Sequence, residues 1–459
     1  MIGKTIQPEI RALIDARDFA TLKELFADWN PADLADLIDD LPYEDQAIIF
    51  RLLPRALAAD TYEYLAHEKQ ANLLKAMGQE QVGNILNDMD PDDRTALFEE
   101  LPSAAVQQLI ALLSPQERAV AQSLLNYPED SIGRLMTPDF IAVKMDWTVQ
   151  DVLNYVRANG HDKETLNVIY VVDDKGKLID DLRIREFLLA PLEKKVSEMM
   201  DENYASLPAH ADRETAIEVF KKYNRTALPV VDSNEHLLGI VTVDDVLQVQ
   251  EEETTEDIQK IGGTEAFEQP YLEISVPKMV RKRAGWLVVL FLGEMFTATA
   301  MGFFEEEIAK AVVLALFVPL IISSGGNSGS QAATLIIRAM ALGEVTLATW
   351  WRVMRREIIA GLSLGSILGT IGFLRIALWT IFTDIYGEHW FLVALTVGMS
   401  LVGVVLWGSL TGSMMPFIMR RFGADPATSS APFVATLVDV TGLVIYFSIA
   451  AIILSGTLL

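Results

Sequence analysis

Three ionisable side chains, Glu294, Arg375 and Asp439, lie inside long apolar stretches of this sequence. A carboxylate at the centre of a bilayer costs at least ~2.5 to 3.5 kcal/mol on insertion scales, so such a group faces a partner or a water-filled path. Asp439 sits in Ala435-Thr436-Leu437-Val438-Asp439-Val440-Thr441-Gly442, with Ala435, Asp439 and Gly442 on one helical face at i, i+4, i+7 spacing. That face is small and polar among apolar neighbours, the character of a pore lining. The competing reading is a bond from Asp439 to a neighbouring helix, with Arg375 as the candidate. Glu294, beside Met295 and Thr297, reads either as a pore contact or as a structural hydrogen-bonding group.

A second polar cluster, Ser323-Ser324-Gly325-Gly326-Asn327-Ser328-Gly329-Ser330-Gln331, interrupts another apolar stretch. Asn327 and Gln331, at i and i+4, put two amides on one stripe among glycines, where they can face hydrated ions. Small residues there also serve close helix packing, and the two roles are compatible. Zinc calls for histidine or cysteine. The chain has 5 histidines and no cysteine, and the one histidine of the apolar half, His389, falls in an expected external loop. Magnesium takes oxygen ligands, gives up its water reluctantly, and uses one or two carboxylates while keeping several waters. One Asp439 per chain suits that ion if two chains bring theirs together. On ligand type alone calcium and manganese stay open.

Helices must hold these groups. A hydrocarbon core of ~30 Å needs about twenty apolar residues, and such stretches run near Ala284 to Phe304, Ala311 to Leu342, Ile358 to Phe382, Phe391 to Met419 and Pro432 to Leu458. The second is expected to kink at Pro319, its far end leaving the bilayer. Lys278, Arg281, Lys282 and Arg283, then Arg352, Arg355 and Arg356, then Arg420 and Arg421 fall on one side; Glu305, Glu306, Glu307, Lys310, Asp384, Glu388 and His389 fall on the other. The positive-inside rule then puts the N-terminal half in the cytoplasm and the C-terminus outside a multi-pass cell-membrane protein. The start, MIGKTIQPEI, lacks a signal-peptide core, in keeping with that orientation.

From Tyr271 onward there are 12 basic and 11 acidic residues, so nearly all of the net charge of −26 lies before it. A half so acidic does not bind nucleic acid by neutralising phosphates. Up to about Asn126 it reads as short amphipathic helices punctuated by Leu41-Pro42, Leu53-Pro54, Asp90-Pro91, Leu101-Pro102 and Ser114-Pro115, the pattern of a stacked helical superhelix. From Asp130 to Val249 a duplication follows: Val171-Val172-Asp173 recurs 59 positions on as Val230-Val231-Asp232, and Arg185-Glu186-Phe187-Leu188 aligns with Asp244-Asp245-Val246-Leu247. Each unit reads helix, strand, turn, strand, helix. A connecting run of Asp244, Asp245, Glu251, Glu252, Glu253, Glu256 and Asp257 reaches no basic residue before Lys260. Like charges at i, i+4 such as Glu252 with Glu256 cost about 0.2 to 0.5 kcal/mol each, a cost that a cation removes. Cation sensing is the reading preferred over a plain solvated face.

The duplicated units resemble a tandem pair of CBS domains, with Gly239-Ile240-Val241-Thr242-Val243-Asp244-Asp245 matching the closing motif of that family and Asp180 standing in the first unit where the second has Gly239. Over nearly its whole length the chain resembles the MgtE family of magnesium channels and transporters. The matching motifs are Pro319 followed by Gly325-Gly326-Asn327-Ser328-Gly329-Ser330-Gln331-Ala332-Ala333-Thr334-Leu335-Ile336-Ile337-Arg338, and Asp425-Pro426-Ala427 leading to Pro432-Phe433-Val434-Ala435-Thr436-Leu437-Val438-Asp439-Val440-Thr441-Gly442. The resemblance implies an N-terminal α-helical superhelix (1–129), a tandem α/β CBS pair (130–196 and 197–250), an acidic connecting helix (251–283) and a C-terminal α-helical bundle of five transmembrane helices (284–459).

It also implies a homodimer in the lipid bilayer whose axial ion path is lined by spans two and five, with Asp439 as central recognition residue for hydrated Mg2+ and Ala435, Thr436, Asn327 and Gln331 beside it. Cytoplasmic Mg2+ is expected to close that path by binding sensor acids carried over by motif position: Asp212, Glu214, Asp245, Glu253, Glu256 and Asp257, with Asp90, Asp92 and Asp93 in the helical domain. Asn224 and Gln248 stand where acids are expected, and Ser330 and Ala431 where some members carry asparagine. ATP is a candidate ligand of the CBS pair. The function so read is passive, potential-driven Mg2+ uptake by a non-enzyme, since Gly3-Lys4-Thr5 lacks the upstream glycine of a phosphate-binding loop. Its rivals are a nucleotide-regulated membrane receptor or scaffold, and a cation-coupled divalent metal exchanger using Glu294 as a second titrating group.

Overall fold

The computed structural model describes residues 2–267, 271–272 and 274–458. Two compact units divide the chain, Met1–Glu251 and Glu252–Leu459. In the first, helix starts recur every 12 residues from Phe19 through Pro31, Tyr43, Arg55, His67, Gln79, Pro91 and Ser103 to Pro115. The prolines set this beat. Pro42, Pro54 and Pro102 stand at N-caps, and Pro31, Pro91 and Pro115 in first turns, where the missing N–H costs nothing and the fixed φ suits a helix start. Each helix packs on the next but one: Pro31–Asp39 on Arg55–Glu63, and that on Gln79–Asp88. The superhelix expected from the Leu-Pro spacing therefore has a two-helix repeat, with Leu22, Phe26, Leu37, Ile38, Tyr62 and Leu86 in its shared core.

The duplication appears as two three-stranded sheets of identical topology. Strands β1 (Ala142–Lys144), β2 (Val168–Val172) and β3 (Leu178–Arg183) pair in that order, as do β4 (Leu207–Pro208), β5 (Ala227–Val231) and β6 (Leu237–Thr242). Both hairpins shift register at the same place, between Val171 and Val172 and between Val230 and Val231. The departure at Asp180 has a physical reason. Its buried carboxylate accepts from the N–H groups of Asp181, Asp201 and Glu202 at 2.8, 2.9 and 3.1 Å, tying down the segment that leads into the second unit. At Gly239 a Cβ would lie 2.7 Å from the Thr137 carbonyl oxygen, because Thr137 pairs with Ile240 there and leaves no room for a side chain.

Among the described residues of the second unit, five helices are long and apolar enough to cross a membrane: Val276–Phe303, Val312–Ala341, Leu347–Trp379, Trp390–Arg421 and Ala431–Leu454, spans one to five below. Span two is not a helix kinked at Pro319. A short helix, Val312–Ala315, stops, and a new one starts at Val318 with Pro319 in its first turn. Glycines then let backbones touch. A Cβ on Gly412 would lie 2.0 Å from the Gly329 carbonyl oxygen, and one on Gly408 2.3 Å from that of Gly325, so spans two and four meet with nothing between them. Gly365 and Gly369 bring span three close to span four as well, a Cβ there lying 2.8 Å from Val402 and 2.6 Å from the Gly398 carbonyl oxygen. Replacing Gly412 by Leu therefore forces span four off span two and costs at least about 3 kcal/mol. Thermal unfolding in detergent should show a fall of many degrees, whereas Gly302→Ala, where a Cβ meets nothing within 4 Å, should leave the transition in place.

Candidate functional site

Two sets of carboxylates stand out, one in each unit. In the first, Glu63 ends one helix and Asp90, Asp92 and Asp93 begin another; carboxylate oxygens of Glu63, Asp90 and Asp93 lie within 4.8 Å of one another. Arg94 holds this arrangement from beneath. Its side chain is 0% exposed, bonds Glu117 at 2.6 Å and the Leu86 carbonyl at 2.9 Å, and so fixes the helix that carries the three aspartates. Burial, with the charge of Asp93 second, pushes Glu63 up to about 8. Burial and Asp245 push Asp93 up to about 7, and burial with Asp90 and then Asp245 pushes Glu164 up to about 8. Asp92, buried with Oδ1 unbonded, rises well above the carboxylate range through burial first and Asp245 next.

Asp245 itself starts the connecting helix, Val243–Ile261, where it accepts from the Thr242 N–H at 3.1 Å and hydroxyl at 2.5 Å; burial, opposed by those bonds, still raises it to about 6. Acids from the helical domain, the first duplicated unit and the start of the connecting helix thus crowd one another. Of the sensor residues read from the sequence, Asp90, Asp92, Asp93 and Asp245 meet here. Asp212 does not: it bonds the Glu214 N–H at 2.9 Å at the start of Glu214–Tyr223 and bridges to Ser131. Asp244, read from the sequence as part of the acidic run, lies near them, whereas Glu63 and Glu164 were missed, because only the turn of the superhelix brings them close.

The same unit has a cleft of about 380 Å³ lined by Asn167, Arg183, Arg185, Asn224, Arg225 and Thr226. Three arginines in so acidic a half give this cleft a cationic lining. Arg225 also bonds the buried Asp181 at 2.9 Å.

In the second unit the end of the connecting helix is anchored. Lys260 bonds Glu256 on its own helix and Asp425, at 2.7 Å, in the loop before span five. Burial lowers the lysine but both carboxylates outweigh it, so its pKa is raised. Asp257, among these charges, is pushed up to about 6 by burial first and Asp425 second. Beyond the helix, Gly263 turns with φ +74°, and a Cβ there would sit 3.2 Å from Pro432 of span five. Lys260 therefore supplies part of the cation that the Glu256–Asp257 run was expected to need.

Along span five, Asp439 and Ala435 face Gly326 of span two: a Cβ at Gly326 would lie 3.4 Å from the Asp439 carboxylate and 3.5 Å from the Ala435 methyl. Gly442 leaves the expected face. It packs against Val404 of span four, 3.0 Å from a would-be Cβ. Arg375 is not the partner of Asp439 either; its guanidinium lies 5.4 Å over the Trp379 ring, and no hydrogen bond or ion pair of Asp439 occurs among the described residues. Thr436 approaches Gly293 of span one and donates its hydroxyl to the Pro432 carbonyl at 3.1 Å. In span two the polar cluster divides by face: Gly325, Gly326, Ser328 and Gly329 are buried against spans four and five, while Asn327 and Gln331 are exposed on the opposite side.

A relative from Thermus thermophilus, "Magnesium transporter MgtE", is 40% identical over 96% of this chain and 96% of its own length. The chain belongs to the MgtE family. The family profile described as "Divalent cation transporter" matches residues 318–449, the MgtE intracellular N domain matches 29–130, and CBS domains match 132–193 and 196–252. The Bacillus subtilis "Magnesium transporter MgtE" is 28% identical over 93% of this chain and 95% of its own. A solved structure, the cytosolic domain of the Mg2+ channel MgtE in complex with ATP, aligns with 36% identity and a TM-score of 0.51, over 52% of this chain and 98% of that one. The fold class is as expected: an MgtE cytosolic domain, a CBS pair and five candidate membrane helices. The chain belongs with transporters, not enzymes, and is a multi-pass membrane protein by its helices and family.

Carboxylates held at about 7 to 8 in the folded cluster and near 4 when unfolded bind more protons folded, so the cluster is least destabilising below the unfolded values and loses stability as pH rises through the folded ones. Unfolding of the cytosolic half, followed in the full chain, should therefore shift down by several degrees from pH 6 to pH 8.5. Millimolar Mg2+ should restore most of that loss at pH 8.5 and add little at pH 6.

Proposed function

We propose that this protein is a magnesium channel, taking up Mg2+ down its electrochemical gradient and closed by cytoplasmic Mg2+. The observation that carries the pore reading is Asp439, a carboxylate in an apolar helix with no ion pair among the described residues, set beside Gly326 of span two. An unpaired carboxylate in a membrane helix is costly unless it serves an ion or a water-filled path. Magnesium prefers few carboxylates and keeps its waters; Asp439, and Asn327 and Gln331 on the exposed face of span two, offer such oxygens, while the small Ala435 beside Asp439 leaves room for the ion's water. Thr436 contributes by packing span five on span one rather than through its bonded hydroxyl. Two chains would supply two aspartates, so we propose a homodimer with the path on its axis. A divalent ion gains about 4.6 kcal/mol per 100 mV, twice the single-charge value, so no coupled fuel is required.

For closure, the sensor is the crowded acid set of Asp90, Asp92, Asp93 and Asp245, now joined by Glu63, Glu164 and Asp244, together with Glu253, Glu256 and Asp257 on the connecting helix. Divalent binding would relieve the repulsion that pushes these groups up. Asp212 and Glu214 form a separate part of that proposed sensor. The N-terminal half is cytoplasmic and the C-terminus outside, by the distribution of Lys278 to Arg283, Arg352 to Arg356 and Arg420 to Arg421, and the joints fall at 129/130, 250/251 and 283/284. ATP is the proposed ligand of the arginine-lined CBS cleft, supported by the ATP-bound relative.

Asp439→Ala should abolish Mg2+ flux into proteoliposomes under an inside-negative potential; near-normal flux would rule out the pore role. The triple change Glu253→Gln, Glu256→Gln, Asp257→Asn should raise the internal Mg2+ needed for closure about tenfold or more, the effect of losing a few charge-assisted contacts. A proton or sodium gradient at zero potential should drive no flux; flux under that condition would favour the exchanger.

A further inference from the structure

Span one carries a second intramembrane carboxylate, Glu294, that the pore reading does not use. Spans one and five run side by side in the same direction, in a register set by three contacts: Trp286 against Phe433 with ring centroids 6.3 Å apart, Gly293 against Thr436, and Phe304 stacked on Phe447 at 5.0 Å. The last two pairs share one offset, so Thr297, one turn beyond Gly293, lies level with Val440, beside Asp439. At 100° per residue, Glu294 and Asp439 both turn to the same side of this seam. Glu294 and Thr436 there line an open groove of about 620 Å³, otherwise walled by Ala284, Leu287, Val288, Leu290 and Phe291.

Thr297 supplies an independent sign of a missing ligand. It is only 7% exposed, and its buried hydroxyl has no hydrogen-bond partner among the described residues. Helical threonines ordinarily bond back to a carbonyl one turn earlier, as Thr299 on the same helix does to Met295 and Thr436 does to Pro432. A buried hydroxyl left unbonded on the seam, one residue from the level of Asp439 and nearly a turn beyond Glu294, lacks the polar partner that buried groups almost always find.

We propose that Glu294 is a second carboxylate on the cation route, and that with Asp439 and the Thr297 hydroxyl it forms a site for a hydrated divalent cation at the seam of spans one and five. The inference rests on the reading of Asp439 as an ion-path residue. Contact is through the ion's own water: Mg2+ keeps several waters, and the carboxylates and hydroxyl accept from or bond to that shell. Glu294 thereby sets how well the route captures the ion, and Asp439 remains the group without which nothing passes.

The test is Mg2+ flux into proteoliposomes of the full chain, with external Mg2+ varied and an internal Mg2+ dye as readout, for the wild type, Glu294→Gln, Thr297→Val and Asp439→Ala. Glu294→Gln should raise the half-saturating Mg2+ at least about tenfold, the loss of one charge-assisted bond, with a smaller change in maximal flux. Thr297→Val should raise it about threefold, the loss of one neutral bond, with unfolding unchanged. A half-saturating value within twofold of wild type in Glu294→Gln overturns the site, and so does a lowered unfolding temperature with unaltered half-saturation, the sign of a structural partner. If Glu294→Gln cannot be purified folded, Thr297→Val decides, and an unshifted value overturns the site. Flux lost in Asp439→Ala with Glu294→Gln normal sinks this inference alone; flux retained in Asp439→Ala sinks the reading beneath it.

Discussion

The membrane half depends on backbone meeting backbone. Gly408 and Gly412 of span four lie directly on the carbonyls of Gly325 and Gly329 in span two, closer than any side chain allows. Without a hydrophobic driving force inside lipid, such packing and the hydrogen bonds it permits hold helices together; Ser328 and Ser409 add one at 2.8 Å across the same contact. Because the glycines consume one face of span two, Asn327 and Gln331 are left on the other. Because Gly326 has no side chain, Asp439 of span five comes up against bare helix. The polar groups that suit an ion are therefore placed by residues that do no chemistry at all.

The N-terminal half rests on the opposite constraint, with charge rather than closeness as the strained quantity. Arg94, fully buried and bonded to Glu117 and to helix-end carbonyls, fixes the helix bearing Asp90, Asp92 and Asp93. Arg94 is thus bonded to Glu117 rather than to these aspartates, and Glu63, Glu164 and Asp245 add repulsion instead of relief. In the second unit Lys260 does relieve its neighbours, bonding Glu256 and Asp425. That pair, together with Gly263 under Pro432, ties the end of an acidic helix to the foot of the helix that carries Asp439. The connecting helix, Val243–Ile261, carries Asp244 and Asp245 in its first turn and Lys260 in its last.

Much of the architecture was legible because it is periodic. Proline at helix starts, the 59-residue echo of Val171-Val172 in Val230-Val231, and apolar runs of bilayer length are local signals. Where reading went astray, a neighbour intervened. Pro319 looks the same whether it kinks a helix or opens one, and only the stop after Ala315 distinguishes them. Gly442 shares the spacing of Asp439 yet packs on Val404, since a helical face about 100° wide can touch two partners.

The sequence by itself determined the five spans, the duplicated α/β units, the excess of acid in the first half and the identity of Asp439 as the carboxylate in the last span, because length, alternation and composition act along the chain. Only the tertiary structure decided which acids meet, that Glu63 and Glu164 join Asp93, that Asp212 bonds the Glu214 N–H away from that cluster, that Lys260 grips Asp425, and that the buried Thr297 hydroxyl is left unbonded among the described residues. Those outcomes depend on distances between segments tens to hundreds of residues apart. A side chain's spacing along the chain states which face of its own helix it occupies, and packing alone states what stands opposite.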